Sequence, residues 1–276
     1  MSFRLNFAAY SDIGKIREKN EDFVLVSSEL AFAAVADGMG GHNAGEIASN
    51  VAVSSFVDTL SKINKHKLVI PKDFLPNMSV TERKMLMAAD YANFTIYKMA
   101  HENQLYRTMG TTLSAMVIDG KKAIAIHIGD TRIYLLRKGN FTQLTTDHSL
   151  AWEHIKRGLL KKEEAEKSAV QNVLTRAMGI KKEVEFDILE FGIAEGDVLF
   201  MCSDGINKGM TDEEIKRYLL KAEKTSIGKL CKAIVKKANE NDGKDNISAI
   251  VIKVMPEPSA MSSRWLKFKK LFSIFS

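Results

Sequence analysis

Four aspartates in this chain share one setting: each stands at the edge of an apolar run, beside glycine or asparagine. They are Asp37 in AVADGMGG, Asp130 in IHIGDTR, Asp204 in LFMCSDG and Asp245 in DGKDNISAIVI. A further acidic group, Asn20-Glu21-Asp22, precedes another such run and follows Arg17. Singly, residues of this kind make turns and caps. Strand ends gathered on a common rim would crowd these carboxylates, which repel one another unless a cation holds them. All the donors are oxygens, with no cysteine pair at zinc spacing and no HExxH among the histidines. Hard ions such as Mg²⁺ and Mn²⁺ suit that donor set. Two of them sharing aspartates would suit hydrolysis of a phosphate ester.

Other routes to phosphate or calcium chemistry fail at identifiable residues. An EF-hand loop with Gly243 at its sixth position would put Ala238 at the first and Ala249 at the twelfth, neither of them a ligand. A cysteine-phosphatase loop needs Cys-x5-Arg, but Cys202 and Cys231 are followed at that spacing by Lys208 and Lys237. No GxxxxGK[ST] loop is present, and DGMGGHNAG has Asn43 where GxGxxG needs its third glycine.

The elements that must position the carboxylates read as short strands at 3–10, 23–27, 31–36, 112–118, 123–128, 132–137, 141–144, 184–191, 197–202 and 247–254. The DGKK, GDT and RKGN joins between them suit hairpins. A helix follows the glycines of DGMGG, with Ala48, Ala52, Phe56 and Leu60 on one stripe. Ser79 with Glu82, and Thr211 with Glu214, fit capping boxes that open two more. A further helix runs through Ile227, Leu230, Ile234 and Ala238, and 147–170 reads as charged and helical. Strands and helices come in runs, which predicts an α+β layered body with mostly antiparallel sheets.

The totals set bounds. The chain has 276 residues, 45% of them hydrophobic, as in an ordinary globular protein. Two cysteines and no apolar leader predict a cytoplasmic location. The net charge is +6, but residues 256–276 carry four basic side chains against one acidic. The body is therefore near balance, and no nucleic-acid partner is expected. We divide the chain into a domain at 1–255 and a basic amphipathic tail at 256–276. In that tail Trp265, Phe268, Leu271, Phe272 and Phe275 share one side at helical spacing, a pattern suited to peripheral membrane contact through 259–276 or to docking on a partner.

Read in order, SDIGKIREKNED, AVADGMGGHNAGE, MGTTLSAMVI, IHIGDTRIYLLRKG, LTTDHS, VLTRAMG, MCSDGI and GKDNISAIVIKV closely resemble the motifs of the bacterial metal-dependent Ser/Thr protein phosphatases (the protein phosphatase 2C type, or PPM family). The resemblance spans residues 10–254 and implies a four-layer αββα sandwich, two central mostly antiparallel sheets flanked by helices. It implies a phosphoric monoester hydrolase that cleaves phosphoserine and phosphothreonine in proteins with Mn²⁺ or Mg²⁺ and an activated water. Two ions, and a third weaker one, are expected. By the same resemblance Asp37 would bridge two ions, the Gly38 carbonyl would bind one, and Asp204 and Asp245 would complete the first ion's ligands. Asp130 would help hold the third. Glu21, Asp22 and Asn246 would act from behind the direct ligands, Glu21 and Asp22 mainly through water. Arg17 would bind the substrate phosphate. The partners implied are phosphoproteins and a Ser/Thr kinase, with the enzyme itself a monomer. Residues 149–172 fall where the family places a flap beside the active site.

Three departures from the family pattern stand out. Met39 stands where many eukaryotic members have a histidine assigned as general acid; His42 lies nearby at another spacing, either a candidate acid or a polar residue at the helix start. Ile206-Asn207-Lys208-Gly209 replaces a Leu-Thr-Asp-like run after Asp204-Gly205, and Thr131 replaces the serine of GDS.

Overall fold

Successive residues of one strand, Phe32–Met39, face different neighbours: Phe32, Ala34 and Ala36 pack on helices, while Ala33 and Val35 pack on a second sheet. Period-two alternation with both faces apolar is what a strand buried between two layers requires. The same pattern occurs at Val198–Cys202, where Leu199 and Met201 face the other sheet and Val198, Phe200 and Cys202 face helices. Three apolar interfaces follow, and therefore four layers.

The computed structural model describes residues 3–41, 44–71, 75–161, 164, 168, 170 and 172–257. Its strands are β1 Arg4–Asp12, β2 Asp22–Ser27, β3 Phe32–Met39, β4 Gly110–Thr111, β5 Leu113–Asp119, β6 Lys122–Ile128, β7 Arg132–Arg137, β8 Asn140–Gln143, β9 Asp187–Gly192, β10 Val198–Cys202 and β11 Ile247–Met255. One sheet has the order β1-β11-β10-β7-β8. The other runs β2-β3-β5-β6-β9, with β4 paired to β3, and every pairing is antiparallel. Helices α1 (Ala44–Asn64) and α2 (Val80–Glu102) cover the second sheet. A short α3 (Leu150–Lys156) follows, and α4 (Asp204–Gly209), α5 (Asp212–Leu219) and α6 (Ile227–Asn241) cover the first sheet. This is the αββα layering expected from the sequence.

Both capping boxes form: Ser79 and Glu82 bond reciprocally at the start of α2, and Thr211 and Glu214 do so at α5. Several expected elements shift. β3 continues through Asp37 and Gly38 to Met39, so the DG pair lies in a strand and the chain turns only at Gly40 (φ +148°). β9 begins at Asp187 rather than 184. Within 147–170 the described helix is α3 alone, and part of the expected flap, 162–163, 165–167, 169 and 171, lies outside the described residues, as do His42 and the tail from 258. Among the described residues no helix is long and apolar enough to cross a membrane.

Candidate metal centre

Each carboxylate of the site sits where a strand meets the rim. Asp22 opens β2 and Asp37 lies near the end of β3, and the two are direct cross-strand partners. Like charges placed opposite one another in a ladder destabilise it, so this pair has to be compensated. From the other sheet, Asp204 follows β10 as the first residue of α4, and Asp245 precedes β11, the neighbour of β10. Asp130 lies between β6 of one sheet and β7 of the other. All but Asp22 line a single cleft of about 720 Å³, with Arg17, Glu21, Gly38, Lys208 and Asn246.

The cleft floor is held by close backbone packing. A methyl group on Gly38 would stand 2.0 Å from the Gly45 carbonyl oxygen, and one on Gly205 would stand 2.1 Å from that of Asn246. Both positions therefore need glycine. Asn246 clips the segment carrying Arg17: its Oδ1 accepts from the Glu21 N–H (2.8 Å) and its Nδ2 donates to the carbonyls of Ile13 and Lys19 (2.9 Å each). Ser203 donates to Asp22 Oδ2 at 2.7 Å and joins the two sheets beneath the site.

The electrostatics report too much negative charge. Burial, then Asp22, Asp204, Asp130 and Asp245, push the Asp37 carboxyl well above its ordinary range. Burial raises Asp22 to about 7, with Ser203 and Ser248 opposing and Asp204 and Asp245 adding. Burial and Asp204 raise Asp130 to about 8, and burial also raises Asp204 and Glu21. The buried Oδ1 atoms of Asp22 and Asp204 have no hydrogen-bond partner among the described residues. Oxygen donors without partners, in a setting short of positive charge, fit a hard divalent cation. Among the described residues, however, no three acidic, His or Cys side chains form a ready cage for an ion. Asp204 and Asp245 instead hold cations of the chain itself.

Lys208 Nζ lies 2.5 Å from Asp204 Oδ2 and 2.7 Å from Asp245 Oδ2. Arg17 Nη2 lies 2.7 Å from Asp245 Oδ1, and its Nη1 is 4.0 Å from Glu21 Oε2. Burial disfavours the Lys208 ammonium, but Asp204 and Asp245 outweigh that and hold its pKa above the usual range. Lys208 enters the sequence reading as the residue that fails the Cys-x5-Arg spacing and as part of a departure from the family run, and neither points to a role at the carboxylates. Asn207, from the same run, donates to the Tyr134 hydroxyl at 2.9 Å, which Arg132 also reaches at 3.3 Å. Arg132 is anchored in turn by a bidentate pair with Asp147. Met39 is in the cleft wall and Thr131 is buried behind Asp130, where it bonds Ser114 at 2.9 Å.

Comparison with known proteins agrees with this fold. The family model described as protein phosphatase 2C matches residues 17–245. The protein phosphatase PhpP of Streptococcus pneumoniae (serotype 2, strain D39) is 32% identical over 265 residues, covering 92% of this chain and 99% of the relative. The crystal structure of the Mycobacterium tuberculosis serine/threonine phosphatase PstP/Ppp superposes with a TM-score of 0.79 at 30% identity, covering 92% of this chain and 99% of that one. A crystal structure of the PstP catalytic domain in complex with two manganese ions gives a TM-score of 0.77 at 30% identity, covering 92% and 100%. A family match over most of the chain, with relatives covered almost end to end, places this chain in the protein phosphatase 2C family, among the enzymes that remove phosphate from proteins.

Proposed function

We propose that the chain removes phosphate from phosphoserine and phosphothreonine in proteins, using two Mn²⁺ or Mg²⁺ ions at the rim between its sheets. The observation that carries this is the gathering of Asp22, Asp37, Asp204, Asp245 and Asp130 from both sheets, with buried oxygens on Asp22 and Asp204 that have no partner among the described residues. Asp37, the Gly38 carbonyl, Asp204 and Asp245 would hold the ions, with Asp130 on a weaker third site. When bound, the ions would acidify a water and neutralise phosphoryl oxygens. The side chains do the rest. Arg17, at the cleft and nearly half exposed, offers a planar fork to a phosphate. Asn246 keeps the Arg17 loop in register. Asp22, high in pKa and bonded to Ser203, can hold a proton at the rim near neutrality. His42 remains the candidate acid for the leaving oxygen.

The phosphoproteins would come from a Ser/Thr kinase, whose action this one reverses. We further propose a phosphatase domain at 1–255 and peripheral membrane contact through 259–276. Deleting 259–276 should move the protein from the membrane to the soluble fraction, and an unchanged distribution refutes that contact. For the activity, a phosphothreonine peptide is assayed with Mn²⁺, with chelator, and with Asp204→Asn. Chelation and the substitution should each abolish turnover. Turnover that survives both overturns the mechanism.

A further inference from the structure

The cation that bridges Asp204 and Asp245 belongs to the chain. Asp204 and Lys208 are one turn apart on α4, so their contact is built into the helix. Asp245 arrives from a segment 37 residues away in sequence, just before β11. The ammonium therefore joins two elements, and its side chain is three-quarters covered, at 25% exposure. A pair this shielded is screened far less than a surface ion pair. Both oxygens of Asp245 are engaged: Oδ1 by Arg17 and its own neighbour's N–H (Asn246, 3.0 Å), Oδ2 by Lys208. Asp204 keeps one buried oxygen, Oδ1, without a partner among the described residues.

We propose that Lys208 is a built-in competitor of the divalent ion. It offsets part of the charge of Asp204 and Asp245 in the ion-free protein, with Arg17 on Asp245, and must withdraw from them for both carboxylates to become metal ligands. Its tether makes it a local charge that never leaves the cleft, so it sets the affinity of the centre. This rests on reading the site as a metal centre, and the experiment separates the two.

Mn²⁺ is titrated calorimetrically into the chelator-treated full chain, into Lys208→Met, which keeps the reach and loses the charge, and into Lys208→Arg, which keeps the charge. Lys208→Met should bind Mn²⁺ about tenfold or more tightly, because an ammonium a few ångströms from a divalent ion repels it even where the protein dielectric is high. The same variant should melt at a lower temperature without metal. Lys208→Arg should stay within about threefold of the parent, since the charge is retained. In the parent, amine acylation followed by peptide mass spectrometry should show Lys208 protected without Mn²⁺ and more reactive with it. That readout holds even if the Met variant does not fold. Equal or weaker Mn²⁺ binding by Lys208→Met overturns the proposal, as does unchanged acylation when the parent takes up Mn²⁺. If neither parent nor Met variant takes up Mn²⁺, the metal-centre reading itself fails and the proposal falls with it.

Discussion

Arg17 reaches Asp245 through one guanidinium nitrogen, with 46% of its side chain exposed. One short contact, with Glu21 held only at 4.0 Å, leaves much of the fork's bonding capacity available to a phosphate. Arg17→Lys keeps the charge but loses the planar pair of donors, and should lower kcat/KM about tenfold; Arg17→Ala should lower it about a hundredfold. Steady-state kinetics on a phosphopeptide check both, and an unchanged Lys variant would mean that Arg17 serves only to hold Asp245. At this scale the sequence was informative in one direction. The carboxylates announced themselves by recurring at apolar run ends, and Arg17 by its place before Asn20-Glu21-Asp22. What Lys208 does was not legible, because its meaning lies in Asp245, which only the fold brings to it.

At the level of elements, strand and helix types followed from periodicity, but the places where backbones touch did not. β3 looked finished at Ala36 because Asp-Gly is turn chemistry. It continues because Gly38 pairs with Thr111 of β4, a partner two residues long and invisible to pattern. α4 was missed for a similar reason: six residues with glycines at 205 and 209 show no helical period, and α4 is fixed by packing, Gly209 lying against the backbone of Ala238 in α6. Gly38→Ala should cost on the order of 3 kcal/mol, since its methyl would meet backbone oxygens of Gly45 and Glu21 that cannot swing aside. Gly45→Ala should cost less in stability, because its nearest obstacle is the movable Glu21 carboxylate. Urea unfolding of the two variants checks the order, and equal costs would mean that the strand relaxes. The β5–β6 pair carries a separate prediction. His127 is fully buried between Ser114 and the Thr146 carbonyl, and burial lowers its pKa to about 4, with His148 adding to the shift. The unfolded chain takes up this proton near 6.5 and the folded one only near 4. The unfolded state thus binds more protons in that window, and stability falls as pH drops through it, by on the order of 2–3 kcal/mol. His127→Gln, which stays neutral, should lose less stability than the parent between pH 7 and 4.5. Equal losses in the two proteins would place the acid sensitivity elsewhere.

Over the whole molecule, the layering was readable because runs of strands followed by runs of helices have few packings. The strand order was not, because β1 pairs with β11 across nearly the whole chain, and no local pattern specifies a partner that far away. That long-range pairing has a cost at the rim. It brings Asp245, beside β11, and Asp204, after β10, against Asp22 and Asp37 of the other sheet, whose carboxyls are raised first by burial and then further by this repulsion. The two sheets are stitched there by hydrogen bonds, Ser203 to Asp22 and Glu21 to Asn246 among them. A divalent ion shared by carboxylates of both sheets would act on the fold as a whole, since it relieves the repulsion and ties the layers together. Mass action then sets the size of the effect: Mn²⁺ at a hundredfold over its Kd stabilises by about 2.7 kcal/mol, or several degrees for a chain of this length. Thermal melts of the parent should rise progressively with Mn²⁺ concentration. Asp37→Asn should melt higher than the parent without metal, because one repelling charge is gone, and should respond weakly to Mn²⁺ if Asp37 is the shared ligand proposed above. A variant that loses the metal response without gaining metal-free stability would show that Asp37 binds an ion but that its charge does not strain the rim. A parent whose melting temperature ignores Mn²⁺ would remove the ion from the account of how these two sheets are held together.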